Sequence, residues 1–276
     1  MVTKDQRRRQ LAREKFERQQ ERRVGARNRA RQRNTVIAVV VAVVLAAGAT
    51  AWAAGAFTGD SKQDEAAAKA SPSAAASSAP SKAPDPCAKP AEGAPGTEQW
   101  KKEPAVTVDA AKKYTFDLQT TCGDIALDLD AKNAPHTVNS FAFLAGKGYF
   151  DHTKCHRLTT SGIYVLQCGD PTGSGSGGPG YTIPDENLKA TSVAKGTYPA
   201  GTVAMANTGQ PHTGGSQFFL VYQDSPLPPT YTPFGTITAD GMAVLKKIAA
   251  AGDSTGAGDG APNATVVINK ATVSAS

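Results

Sequence analysis

The sequence predicts a mainly β protein: a closed eight-stranded antiparallel β-barrel capped by two α-helices, preceded by one transmembrane helix and a disordered linker. Three observations predict it. From residue 113 onward, short segments alternate apolar and polar residues between turn residues, and two longer segments carry helical spacing. Residues 35–57 contain no charge. Between Ala66 and Pro95, 23 of 30 residues are Ala, Ser or Pro, and the six prolines there deny any long helix or strand. The 276 residues thus divide into a basic cytoplasmic tail (1–34), a transmembrane helix (35–57), an Ala/Ser/Pro-rich linker (58–112) and a folded domain (113–276).

Charge is concentrated at the start. Residues 1–34 hold 13 of the 30 Lys and Arg and 4 of the 24 acids, so 17 basic residues face 20 acidic ones in the remainder. The charge balance therefore speaks against a basic globular domain built to hold nucleic acid, and no nucleic-acid partner is expected. The leader has good helix formers but Phe16 as its lone aromatic, so it reads as a solvated retention and topology signal. At 1.5 Å per residue, the 23 residues from Thr35 to Phe57 cross a hydrocarbon core of ~30 Å. A cleaved secretory signal is the rival reading, with Ala49-Thr50-Ala51 as a small-residue site, but the run is longer than a signal core and its basic leader unusually long. Only Lys62 and Lys69 follow closely, which places the N-terminus in the cytoplasm and everything after Phe57 outside a cell membrane crossed once.

The linker reads as a spacer that lifts the domain from the headgroups. Cys87, Cys122, Cys155 and Cys168 all fall on the outer side, where an even number of thiols can oxidise into two disulfides. Three pairings are open. Cys155 and Cys168 fall on what read as adjacent strands, and Cys87 is placed to staple the linker near Cys122. A zinc site at His152, Cys155 and His156 is not expected, because alternation along a strand points Cys155 and His156 to opposite faces.

In chain order, Tyr114–Gln119 and Ile125–Asp130 alternate and form a hairpin about Cys122-Gly123-Asp124. Residues 135–145 place Val138, Phe141, Leu144 and Ala145 on one helical face, ended by Gly146 and Gly148. Further strands are expected at Cys155–Leu158, Tyr164–Cys168, Thr202–Ala206, Gln217–Tyr222, Phe234–Thr238 and Thr265–Val273. A second helix runs from Gly241 to Ala251, with Met242, Leu245, Ile248 and Ala249 on one face. So many antiparallel signals favour closure, which removes unpaired strand edges.

The usual enzymatic motifs are missing: no His-Glu-x-x-His, no Gly-x-Ser-x-Gly, no phosphate-loop lysine. The Gly-rich run 172–180 precedes a strand-like segment rather than a helix, so close backbone approach is a better reading than phosphate binding. Four blocks carry chemistry instead: Cys155-His156-Arg157-Leu158 through Val165-Leu166-Gln167-Cys168-Gly169-Asp170, then Val203-Ala204-Met205-Ala206-Asn207, Gly215-Ser216-Gln217-Phe218-Phe219 and Phe234-Gly235-Thr236-Ile237. In this order they resemble the cyclophilin family of peptidyl-prolyl isomerases over residues 113–273.

The resemblance implies the eight-stranded barrel with two helices and assigns roles. Arg157 stands at the family's catalytic arginine, Gln167 at the glutamine beside it, and Phe219 at the floor of the proline pocket. Tyr164, Val165 and Leu227 would line that pocket. Ala206 and Asn207 would bind the substrate backbone, with Asn207 counted in the catalytic set, and Gln217 would assist. Gly175 would border the groove for residues before proline, and Tyr231 stands where many relatives carry histidine. No cofactor and no metal are implied, and the chain would act as a monomer on proline-containing polypeptides.

The sequence also departs from the family pattern. Residues 158–164 and 210–212 are longer than usual, Val165 replaces a common Met, and Pro226 stands where some relatives have Trp, which implies weak cyclosporin binding. The leading reading is a membrane-tethered isomerase of exported or unfolded chains. A non-catalytic peptide-binding holdase on the same groove and an envelope interaction protein acting through its basic tail are the alternatives.

Overall fold

The computed structural model describes residues 85–276. The basic leader, the apolar run 35–57 and the linker up to residue 84 lie outside the described residues. Among those described, no helix is long and apolar enough to cross a membrane.

The expected hairpin forms. β1 (Tyr114–Thr120) and β2 (Gly123–Leu129) pair antiparallel with Thr120 opposite Gly123, so the turn is Thr121-Cys122, earlier than the sequence suggested. Alternation buries Phe116, Leu118, Ile125 and Leu127 in the core. Helix α1 (Pro135–Gly146) starts on Pro135, whose missing N–H is no loss at that position. Ala134 offers no side-chain cap, so the Glu186 carboxylate substitutes. It accepts from the N–H of His136 and from the N–H and hydroxyl of Thr137, at 3.0, 2.9 and 2.8 Å. Helix α2 (Ala239–Ala250) begins two residues before Gly241, because the Thr238 hydroxyl accepts from the Gly241 N–H.

The remaining strands are β3 (Thr153–Lys154), β4 (Arg157–Thr159), β5 (Val165–Cys168), β6 (Thr197–Tyr198), β7 (Thr202–Met205), β8 (Phe218–Val221), β9 (Ser225–Pro226), β10 (Pro233–Ile237), β11 (Asp259–Gly260) and β12 (Val267–Ala275). Ten of the twelve form one curled sheet in the order β11-β4-β5-β8-β7-β10-β2-β1-β12-β3, and β6 pairs with β9. This corrects the expectation of a closed eight-stranded barrel: the ladder is open, with β11 and β3 at its edges. The segment expected as one strand, Cys155–Leu158, is split at Cys155 and His156. Their N–H groups turn to different neighbours, Cys155 to the Val266 carbonyl and His156 to the Gln167 carbonyl, which leaves β3 on β12 and β4 on β5.

Two apolar clusters lie on opposite faces of the central strands. Leu158, Leu166, Phe218, Leu220 and Val203 join the large core, where Phe116, Phe141, Phe150, Phe218 and Phe234 pack ring against ring. Their sequence neighbours Val165, Phe219, Val221 and Ala204 join the smaller cluster on the other face. β8 is thus buried on both sides, which is why Phe-Phe-Leu-Val carries no polar alternation.

Residues 85–112, assigned above to the linker, pack along the domain without helix or strand. Cys87 is bonded to Cys122 and Cys155 to Cys168. The Ala88 N–H donates to the Thr121 carbonyl, and the Trp100 ring packs on Phe143 and Tyr149 with centroids 5.1 and 5.9 Å apart. Proline prevents regular structure but not docking, and a covalent staple plus one aromatic anchor supply what a ladder would. Because the Cys87–Cys122 bridge closes a 35-residue separation, replacing both cysteines by Ser is expected to cost about 4 kcal/mol, read from urea unfolding, with the m-value rising as the unfolded chain loses its cross-link.

Candidate active site

The site lies on the outer face of the central strands, over the smaller cluster, and strand register assembles it. Arg157 on β4 stands opposite Gln167 on β5, Gln167 opposite Phe219 on β8, and Phe219 opposite Ala204 on β7. Directly paired residues point the same way, so the side chains of Arg157, Gln167 and Phe219, which span 62 positions of sequence, line up in one row. Val165, two residues before Gln167, faces out with them.

These residues frame a pocket of about 190 Å³ lined by Arg157, Ile163, Val165, Gln167, Ala206, Asn207, Phe219, Leu227 and Tyr231. The floor is apolar and braced. Phe219 and Tyr231 meet edge to face at 5.4 Å, and Tyr231 is fixed by Tyr198, whose hydroxyl donates to the Tyr231 carbonyl and accepts from its N–H. Burial pushes the Tyr198 hydroxyl up to about 12, so it remains a neutral donor. A second hollow of about 170 Å³ runs between Gly175 and Gln217, and it shares Gln167, Ala206 and Asn207 with the first.

Polar groups at the rim are held in series. Arg157 Nη1 donates to Gln167 Oε1 at 3.4 Å, Gln167 Nε2 donates to Gln217 Oε1 at 2.8 Å, and Gln217 Nε2 donates to the Gly177 carbonyl at 2.9 Å. Gln217 therefore orients Gln167 against the Gly-rich loop. The Asn207 side chain is held as well, donating to the Thr230 carbonyl and accepting from the Gly209 N–H.

The Gly-rich loop encloses a carboxylate of its own. Asp170 is fully buried, and it accepts from the N–H and hydroxyl of Thr172, the hydroxyl of Ser174 and the N–H groups of Gly175 and Gly177. Burial pushes this carboxyl up, but the hydrogen bonds from Thr172, Gly177 and Gly175 together outweigh it and hold it below the usual range. A Cβ on Gly177 would lie 2.0 Å from Asp170 Oδ1, so the close approach read from the sequence is real and the partner is this internal acid. The zinc reading has no ligand left at Cys155, whose sulfur is bonded to Cys168.

Of the residues singled out by sequence, ten line these two hollows. Tyr164 does not. It precedes β5, and alternation turns it away from Val165: its ring packs on Tyr222 at 5.9 Å and its N–H donates to Ser225 Oγ. Ile163 lines the pocket in its place, on the longer connection after Arg157. Asp259 was also missed. Its carboxylate oxygens accept from Arg157 Nε and Nη2, both at 2.8 Å. In sequence it is one acid in a turn-rich run, with no periodicity to mark it.

The first pocket thus combines a braced apolar floor with a fixed guanidinium, and its lining residues include no Ser, Thr, Cys, His, Asp or Glu. The chain belongs to the family described as cyclophilin type peptidyl-prolyl cis-trans isomerase/CLD, whose model matches residues 115–273. A probable peptidyl-prolyl cis-trans isomerase B of Mycobacterium leprae is 53% identical over 163 residues, 55% of this chain and 54% of the relative. One of the same description from Mycobacterium tuberculosis is 50% identical over 171 residues, 59% and 55% of the two chains. A peptidyl-prolyl cis-trans isomerase of Helicobacter pylori is 40% identical over 142 residues, 51% of this chain and 83% of that one. The chain spans about half the length of the mycobacterial relatives it matches. Among solved structures, a cyclophilin type isomerase of Cryptosporidium parvum superposes with a TM-score of 0.49 at 26% identity, covering 59% of this chain and 98% of that one.

Proposed function

We propose that this chain is a peptidyl-prolyl cis–trans isomerase that accelerates rotation about X–Pro bonds in exported or unfolded chains, with no covalent intermediate. The observation that carries this is the placement of Arg157 on the rim of the pocket floored by Phe219. Amide conjugation gives the X–Pro bond a rotation barrier of roughly 18–20 kcal/mol. As the bond twists, the prolyl nitrogen becomes pyramidal and regains its lone pair, so a guanidinium N–H aimed there stabilises the transition state more than the planar ground state. Phe219, Val165, Ile163 and Leu227 bury the proline ring while the Ala206–Asn207 backbone holds the chain on the other side of the bond. One half is gripped as the other turns.

The proposal extends to place and partners. Residues 35–57 anchor the chain, the N-terminus is cytoplasmic, and the domain acts as a monomer outside the membrane, without cofactor. The charge asymmetry about the apolar run supports the orientation. So do two disulfides and no free cysteine among the described residues, a pattern of oxidising compartments. Protease added to intact cells should remove the domain and spare the leader; a protected domain would refute the orientation. The full chain should accelerate isomerisation of an X–Pro tetrapeptide above the uncatalysed rate, and failure to do so would leave a holdase on the same groove or an interaction protein acting through its basic tail. Pro226, exposed on β9 beside Leu227, has no donor to offer where some relatives have an indole N–H, so cyclosporin is expected to inhibit weakly. Nanomolar inhibition in the same assay would contradict this.

A further inference from the structure

The guanidinium of Arg157 has five N–H donors. Two are taken by the Asp259 carboxylate on the Nε/Nη2 edge, at 2.8 Å each, and one by Gln167 at the longer distance of 3.4 Å, which leaves two for a substrate. We propose that Asp259 is a positioning residue for isomerisation: by occupying the Nε/Nη2 edge it sets the plane of the guanidinium, and so decides which N–H groups meet the prolyl nitrogen. This rests on the isomerase reading of the same pocket.

Three features favour this role. The short bonds go to Asp259 and the long one to Gln167, so the acid supplies most of the orientation. Asp259 is itself held on the sheet, since β11 pairs with β4, with Asp259 opposite Thr159 and Gly260 opposite Leu158. Behind it the turn is tied down by Asp253, whose carboxylate accepts from the hydroxyls of Thr160 and Thr255, and by the Thr160 N–H donating to the Gly258 carbonyl. Finally, the pair is in water, with side-chain exposures of 39% for Arg157 and 56% for Asp259. Exposed ion pairs contribute little to folding stability, so a bidentate pair kept here does its work on geometry.

A purely structural carboxylate and a positioning one separate by kinetics on the full chain. Asp259→Ala is expected to lower kcat on an X–Pro tetrapeptide about tenfold, with KM and Tm nearly unchanged, because the guanidinium is present but misaimed. Asp259→Glu, which keeps a bidentate carboxylate, should restore most of the loss. In an Arg157→Lys background, where a point charge replaces the planar fork, Asp259→Ala should add less than about twofold. Unchanged kcat in Asp259→Ala, no recovery with Glu, or an equal loss in both backgrounds would overturn the assignment. Its failure differs from failure of the isomerase reading: an Arg157→Ala chain that loses activity while Asp259→Ala keeps it removes Asp259 alone, whereas an unsubstituted chain with no turnover above the uncatalysed rate removes the reading itself.

Discussion

Arg157→Ala in the full chain is expected to lower kcat/KM on an X–Pro tetrapeptide about 100-fold, equivalent to about 2.7 kcal/mol of transition-state stabilisation. The loss should appear in kcat. The floor of Phe219, Val165, Leu227 and Tyr231 is built on the smaller apolar cluster and does not depend on the arginine, so ground-state binding persists. A side chain 39% exposed is also not a core element, and the unfolding midpoint should hardly move. Turnover that survives this substitution would defeat the electrostatic mechanism, whatever family the chain belongs to.

Asp170→Ala should destabilise the domain by about 4 kcal/mol, read from urea unfolding. Hydrogen bonds to a charged group contribute roughly 1.5–3 kcal/mol each, and truncation strands several donors inside the loop. Five donors converge on this carboxylate, which is why the cost exceeds that of an ordinary polar substitution. Asp170→Asn keeps the shape and one acceptor oxygen and should cost about half as much. Because the folded carboxyl titrates below its unfolded value, its contribution is complete above pH ~3.9 and fades as pH falls through the lower folded value. In the Asn variant that component of acid destabilisation should be missing. Activity should fall as well, since Gly177 receives Gln217, Gln217 receives Gln167, and Gln167 receives Arg157. An Asp170→Ala domain as stable as the parent would show that the loop closes without its internal acid.

Much of the fold was legible because alternation and helical spacing report burial directly. Phe116 and Leu118 against Ile125 and Leu127, or Val138, Phe141 and Leu144 on α1, are buried as their spacing predicts. The two-residue strands β3, β6, β9 and β11 were not legible, since a pair of residues has no period to read. Splitting of the expected Cys155–Leu158 strand was hidden for another reason: two adjacent N–H groups chose different partners, Val266 just before β12 and Gln167 on β5, and the first lies more than a hundred residues downstream. Tyr164 was misplaced by a register of one, the error to which strands are most sensitive. The docked segment 85–112 was misjudged because its proline content speaks about ladders, while Trp100 and Cys87 act through packing and covalency.

By itself the sequence determined the residue types the site requires: a permanent cation at 157, amides at 167, 207 and 217, an aromatic at 219, and the charge step across residues 35–57. These are local properties, present in the chain before it folds. Only the tertiary structure decided which of them meet. Cross-strand register set Arg157, Gln167 and Phe219 in one row, and a turn a hundred residues downstream returned Asp259 to the guanidinium. Pairing of that kind depends on the loop closures and core packing of the whole sheet, so no window of sequence contains it.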